Sequence, residues 1–153
     1  MATRTKPAAK DLYQEDFYVW TQRQADLLRA RRFDELDLEN LIEEVADLAG
    51  AKRSAVLNNA RVIMEHLLKL QHSLAGEPRG GWEATVLEHR SRLEIDLTPQ
   101  LRQVLADELP RMYRLARRGA AAALRRHGED AAADALPETC PYTPDDVTGD
   151  RLP

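Results

Sequence analysis

"LENLIEEVADLAGAKRSAVLNNARVIMEHLLKLQH", residues 38–72, decides the fold of this 153-residue chain. Val45, Ala49, Val56, Ala60, Ile63, Leu67, Leu70 and, just beyond, Leu74 recur at three- and four-residue intervals, and Lys52 alone interrupts the row. That interval matches a turn of about 3.6 residues and not the period of two that a strand requires. The stretch has no proline, and Gly50 bends a helix more readily than it ends one. One helix of about 35 residues follows, roughly 53 Å long at 1.5 Å per residue. Such a length suits a bundle or an intermolecular interface.

The neighbouring segments read the same way. Asp37 stands where an N-cap belongs, with Leu36 and Leu41 at the two positions of a hydrophobic staple. Before it, Asp11 with Gln14 resembles a capping box, and Tyr13, Phe17, Trp20, Leu27 and Leu28 predict a first helix over residues 12–31. After it, "AGEPRGG" (75–81) is a turn, and Trp82, Val86, His89 and Leu93 share one stripe of a third helix, with His89 facing the core or a partner. Thr98 and Pro99 form an N-cap and N1 pair, and Leu101 to Ala123 keep helical spacing up to Gly128, a C′ residue. Pro110 lacks an amide donor and predicts a kink or split in this fourth helix. The last segment, acidic and proline-rich, is expected to be mostly extended, with Cys140 and Tyr142 packed back on the bundle. No segment alternates with period two and no repeat is visible. The expectation is therefore an all-α bundle of four main helices. It comprises a flexible tail at 1–10, a helical domain at 11–128 and an extended acidic tail at 129–153.

Composition bounds the function. Hydrophobic residues at 43% and charged residues at 31% fit a globular chain of one-domain size. Cys140 is the single cysteine, which excludes an internal disulfide and fits a reducing compartment. "MATRTKPAAK" (1–10) is followed by no apolar core of a signal peptide, and no run reaches the roughly 18 apolar residues of a membrane span. The expected location is cytoplasmic. The net charge of −4 is polarised, with seven acids and no base over 34–47 and seven arginines against Asp107 and Glu108 over 102–126. A basic helix can bind nucleic acid, but the acidic helix can satisfy it within the chain or across a dimer, which is the preferred reading.

"LYQEDFYVWTQRQADLLRARRFDELDLENLIEEVADLA" (12–49), "RVIMEHLLKLQ" (61–71), "WEATVLEHR" (82–90) and "CPYT" (140–143) together resemble the bacterial domain-of-unknown-function family twenty-nine. The similarity runs from Asp11 to Tyr142. It implies an α-helical bacterial protein and no particular activity. The sequence departs from the family pattern at Leu70, where relatives often carry Trp, and in the "EPRGG" ahead of Trp82. The paired acids Glu43 and Glu44 resemble a fixed feature of the family's second helix; they point about 100° apart, toward water or an arginine such as Arg29, Arg31 or Arg32.

These residues are compatible with three chemistries. Arg61 and His66, five apart, match the Arg-then-His spacing of metal-independent helical-bundle ribonucleases, where His moves a proton and Arg stabilises charge on the scissile phosphate. With 18 Arg and four His, roughly 1.4 such matches arise by chance, and five residues leave the two side chains about 140° apart. If helices two and three form a hairpin in which paired residue numbers sum to about 155, His66 stands level with His89 and Arg61 with Glu94, and Glu65, Glu88 and His89 form a polar cluster. A metal held by His66, His89 and His127 is a third reading, although no Glu precedes a His by three, HExxH is absent and one cysteine cannot make a two-Cys site. No glycine-rich phosphate loop or Gly-x-Ser-x-Gly elbow occurs. The resulting expectation is an interaction or structural module acting as a homo-oligomer, through helix two or four, with no cofactor, no bound metal and no membrane contact. The alternatives are the Arg61–His66 RNA-acting enzyme and the histidine metal site.

Overall fold

The computed structural model describes residues 9–153, with side chains from Leu12 onward. Of the flexible tail expected at 1–10, residues 1–8 lie outside the described residues. Seven α-helices and one 3-10 turn follow, with no strand among the described residues: α1 (Ala9–Glu15), α2 (Phe17–Arg29), the turn Phe33–Glu35, α3 (Leu38–His72), α4 (Arg79–Asp96), α5 (Pro99–Arg126), α6 (Asp130–Asp134) and α7 (Pro144–Thr148). The fold is all-α. The chain divides at Gly50, inside α3, into two compact units.

In the first unit, the helix expected over 12–31 is broken at Asp16. Its backbone leaves the helical region (φ −149°, ψ 85°) and its carboxylate accepts the Val19 amide at 3.0 Å. A short acidic side chain that satisfies an orphan amide makes a better cap than an interior residue. Asp11, the expected cap, instead lies inside α1. α2 closes through Arg31, at φ 56°, with the Arg31 and Arg32 amides returning to the carbonyls of Leu28 and Leu27. Trp20, Gln24 and Leu27 are buried. Tyr13 and Phe17 pack on Trp20 with ring centroids 4.9 and 5.6 Å away, whereas Tyr18 points outward.

Asp37 ties this unit together. Its carboxylate accepts the Trp20 indole N–H at 3.1 Å and the Asn40 amide at 2.7 Å, while its own backbone N–H donates to Gln24 Oε1 at 2.9 Å. The residue read as a helix cap thus also satisfies the polar edge of a buried tryptophan. Tyr13 donates to Glu44 at 2.6 Å, and this bond, followed by burial and the nearby acids, pushes the phenol up to about 12.

In the second unit, Val56, Ala60, Ile63, Leu67 and Leu70 of the α3 stripe meet Val86 and Leu93 of α4 and Leu105, Met112, Tyr113, Ala116, Ala120 and Leu124 of α5 in one core. Val45 and Leu74, on the same sequence stripe, are exposed. Gly80 and Gly81, read as turn residues, form the first turn of α4. Thr98 caps α5 through the Leu101 amide, and Gly128 (φ 77°) closes it, the Glu129 amide reaching back to Leu124. α5 runs through Pro110 unbroken.

The segment after Gly128 differs most from its reading as mostly extended. α6 and α7 form there, and Ala133, Leu136, Tyr142 and Val147 join the core. Thr143 and Asp146 make a full capping box, Tyr142 donates to Gln71 at 2.7 Å, and the buried Arg90 donates to the carbonyls of Asp146 and Val147. Cys140 is partly buried against the same core.

The carboxylate of Glu65 on α3 reaches Gly119 on α5, where a Cβ would stand 2.5 Å from Oε2. Alanine at 119 adds helix propensity worth up to about 1 kcal/mol but must displace a carboxylate that Arg61 holds at 3.1 Å. Gly119→Ala is therefore expected to destabilise the otherwise unaltered chain by about 1–2 kcal/mol and to stabilise a Glu65→Ala background. Urea unfolding of the four-member cycle measures this; the same sign in both backgrounds contradicts the close approach.

Candidate functional site

Most of the residues that the sequence grouped are hydrogen-bonded to other partners, although His66 and Arg61 each lie near enough to His89 for their charges to interact. Arg61 donates to Asn58 Oδ1 and to Glu65 Oε2, the latter at 3.1 Å. Glu65 faces Gly119 on α5, not α4. Glu88 is exposed and pairs with Arg92. His66 donates from Nδ1 to the Val62 carbonyl at 2.9 Å, one turn back on its own helix. His89 donates from Nδ1 to Asn59 Oδ1 at 2.7 Å, so it stands against Asn59 and not level with His66. The hairpin register is therefore displaced by seven residues along α3, about two turns. Lys52, which pairs with Asp96, follows the same register.

Neutral imidazole is favoured at both histidines. Burial pushes His66 down, opposed by the Val62 carbonyl; at His89 burial acts first, then Arg92, with Arg61 adding to it. Because Nδ1 carries the donated proton in each, Nε2 is left as the proton acceptor. Among the described residues no group of three or more His, Cys, Asp or Glu side chains is arranged to hold a metal, so His66, His89 and His127 do not form the site considered for them. No described helix is long and apolar enough to cross a membrane.

Two features of the surface remain. The first is a cleft of about 730 Å³ bounded by the C-terminal end of α3, the start of α4 and the end of α5. Lys69 lies in its wall with only 7% of the residue exposed, its Nζ 5.4 Å from the centre of the Trp82 ring and 3.8 Å from Glu65 Oε1. Burial, and then Arg126 against the opposing pull of Glu65, make this ammonium easier to deprotonate than an ordinary lysine. Glu129, in the same wall, is occupied by the Ser73 hydroxyl at 2.7 Å and the Leu74 amide at 2.8 Å, which hold its carboxyl below the usual range. Reading the sequence for function passed over Lys69; the one signal was a lysine set between Leu68 and Leu70 in an otherwise apolar run.

The second feature is the first three turns of α3. Leu38, Ile42, Val45 and Leu48 are 55, 66, 60 and 68% exposed, at the spacing that places them on one side of the helix. Glu39 and Glu43 flank them by the same periodicity.

The segments that build these features, from α1 through the capping box of α7, fall within one sequence family. Its model, described as domain of unknown function DUF29, matches residues 12–151. The chain belongs to this family. The DUF29 match thus takes in α7 and the residues after Gly128 as well as the long helices. No curated protein and no solved structure matches the chain.

The two histidines give the DUF29 chain a definite pH response. Their folded-state proton affinity is lower than the ordinary value near 6.5. Below that pH the unfolded chain takes up protons that the fold refuses, so their stabilising contribution is complete above about pH 6.5 and is lost as pH falls through the lowered folded values. Unfolding free energy measured between about pH 8 and 5 is expected to decline toward acid, and His66→Gln with His89→Gln is expected to flatten that decline. An unchanged slope in the double variant rules out the two histidines as its source.

Proposed function

We propose that this protein is a helical interaction module that pairs with a second copy of itself, the first turns of α3 on one copy seating against α5 of the other. The observation that carries the reading is the run of exposed aliphatic side chains from Leu38 to Leu48. A large contiguous apolar face on a folded chain marks a contact surface more often than ordinary solvent exposure.

Charge selects the occupant. The face is bordered by Glu39 and Glu43 and belongs to a stretch with seven acids and no base, so packing α3 on α3 would bring like charges together. The exposed side of α5 is the complement: Arg111, Arg114, Leu115, Arg118 and Arg125 fall at helical spacing on it. Glu108 and Asp134 engage Arg111 and Arg125, whereas Arg114 and Arg118 make no ion pair within the described residues. A stable interface covers about 800 Å² per partner, more than four aliphatic side chains supply, so the flanking charges belong to the contact.

Light scattering coupled to size exclusion is expected to give a dimer at tens of micromolar, weakening as salt screens the arginine contacts. Ile42→Glu and the pair Arg114→Glu with Arg118→Glu are each expected to yield monomer with undiminished helical circular dichroism. A strict monomer for the unaltered chain overturns the proposal, as does a dimer indifferent to both sets of substitutions.

A further inference from the structure

The cleft at the junction of α3, α4 and α5 rests on other observations than the proposed pairing surface, and its two cations, Lys69 and Arg126, make no hydrogen bond to the acids that share its wall. We propose that it binds a small organic carboxylate, the anionic group received between Lys69 and Arg126 and the hydrocarbon body resting on Trp82 and Leu124.

The argument begins with Lys69. A buried ammonium is costly unless paired and hydrogen-bonded, and this one has poor intramolecular partners. Glu65 stands 3.8 Å from it, beyond hydrogen-bond range, and is closer to Arg61 at 3.1 Å. The Trp82 ring offers its π face at 5.4 Å, a weaker stabilisation than a carboxylate oxygen at contact. Arg126, on the opposite wall, is exposed and makes no hydrogen bond or ion pair among the described residues. Two cations therefore flank one space, while Glu129, an ionised carboxylate in the same wall, has its oxygens engaged by Ser73 and Leu74 and forms no ion pair with either cation. Glu77, at the exposed rim, is the remaining acid of the cleft.

Shape and lining then choose among anions. The cleft, at about 730 Å³, lies in the range of small-molecule sites, roughly 300–1,000 Å³. Apart from the charged groups and His127 it is walled by alanine, proline, leucine and tryptophan carbon. A bare inorganic anion would leave that apolar wall wet, whereas a carboxylate with an aromatic or aliphatic body covers it. Gly80 and Gly81 have open space around their α-carbons in the first turn of α4, whose N-cap, Pro78, supplies no capping side chain. The positive end of that helix adds to the same field.

Isothermal titration calorimetry on the full chain tests this with benzoate, its neutral analogue benzamide, and inorganic phosphate. Benzoate is expected to bind with a dissociation constant of about 1 mM or tighter, and benzamide and phosphate at least roughly tenfold more weakly. Lys69→Met keeps the stem volume without the charge and is expected to weaken benzoate at least roughly fivefold. Arg126→Ala, at an exposed position, is expected to do so severalfold and remains decisive should the buried variant fail to fold. No benzoate binding at about 10 mM, equal binding of benzamide, tighter binding of phosphate, or full benzoate affinity in Arg126→Ala each overturns the proposal.

Discussion

One continuous helix, α3, belongs to both units, and its surroundings change along its length. From Val56 to Leu70 the apolar stripe of α3 is dry, covered by α4, α5 and the segment after Gly128; from Leu38 to Leu48 comparable side chains face solvent. Burial of a Leu or Ile side chain contributes about 1.5–3 kcal/mol, so the stretch from Val56 to Leu70 supplies much of the cohesion of its unit. The unit that contains Leu38 to Leu48 relies instead on Trp20 and the hydrogen bonds gathered at Asp37. A hub of this type specifies one geometry, because a displaced Asp37 would leave a buried indole donor and the Asn40 amide without acceptors.

The long helices were legible because their stripes extend over many turns. α3 runs over the same 35 residues that its period marks out, and α5 begins at Thr98–Pro99 and closes at Gly128 as its end signals indicate. The break at Asp16 was not, since helical spacing continues across it from Tyr13 to Trp20; only the cap bond to Val19 separates α1 from α2. The two short helices after Gly128 were missed for the opposite reason, although Tyr142 and Cys140 do pack back on the core as expected. The helices are five residues each, too short to show a period, and composition dominated the reading. Yet "TPDD" at 143–146 repeats the logic of "TP" at 98–99, a threonine cap followed by a proline at the first helical position, and adds an aspartate for the reciprocal half of the capping box.

Of the site, the residue types were visible and the register was not. Placing His89 opposite His66 assumes that α3 and α4 turn symmetrically about the "AGEPRGG" segment. In the structure α4 starts inside that segment, with Gly80 and Gly81 already helical, and α3 continues to His72. The turn, residues 73–78, is therefore shorter and lies closer to α3 than the glycines suggest, in the direction that sets His89 against Asn59. Hairpin register follows loop length, and a misplaced loop shifts every facing pair together.

Glu65 connects these observations. Its carboxylate lies against Gly119, where a side chain would have to displace it, and it divides its oxygens between Arg61 at 3.1 Å and Lys69 at 3.8 Å. One carboxylate between two cations leaves the more buried of them under-compensated. A leucine or methionine at position 69 would fill the same space without the desolvation cost, and replacing buried ionic groups by apolar ones is often neutral or stabilising. A lysine that contributes little to cohesion, beside an exposed arginine and a tryptophan face, accounts for its position better as a binding group than as a structural one.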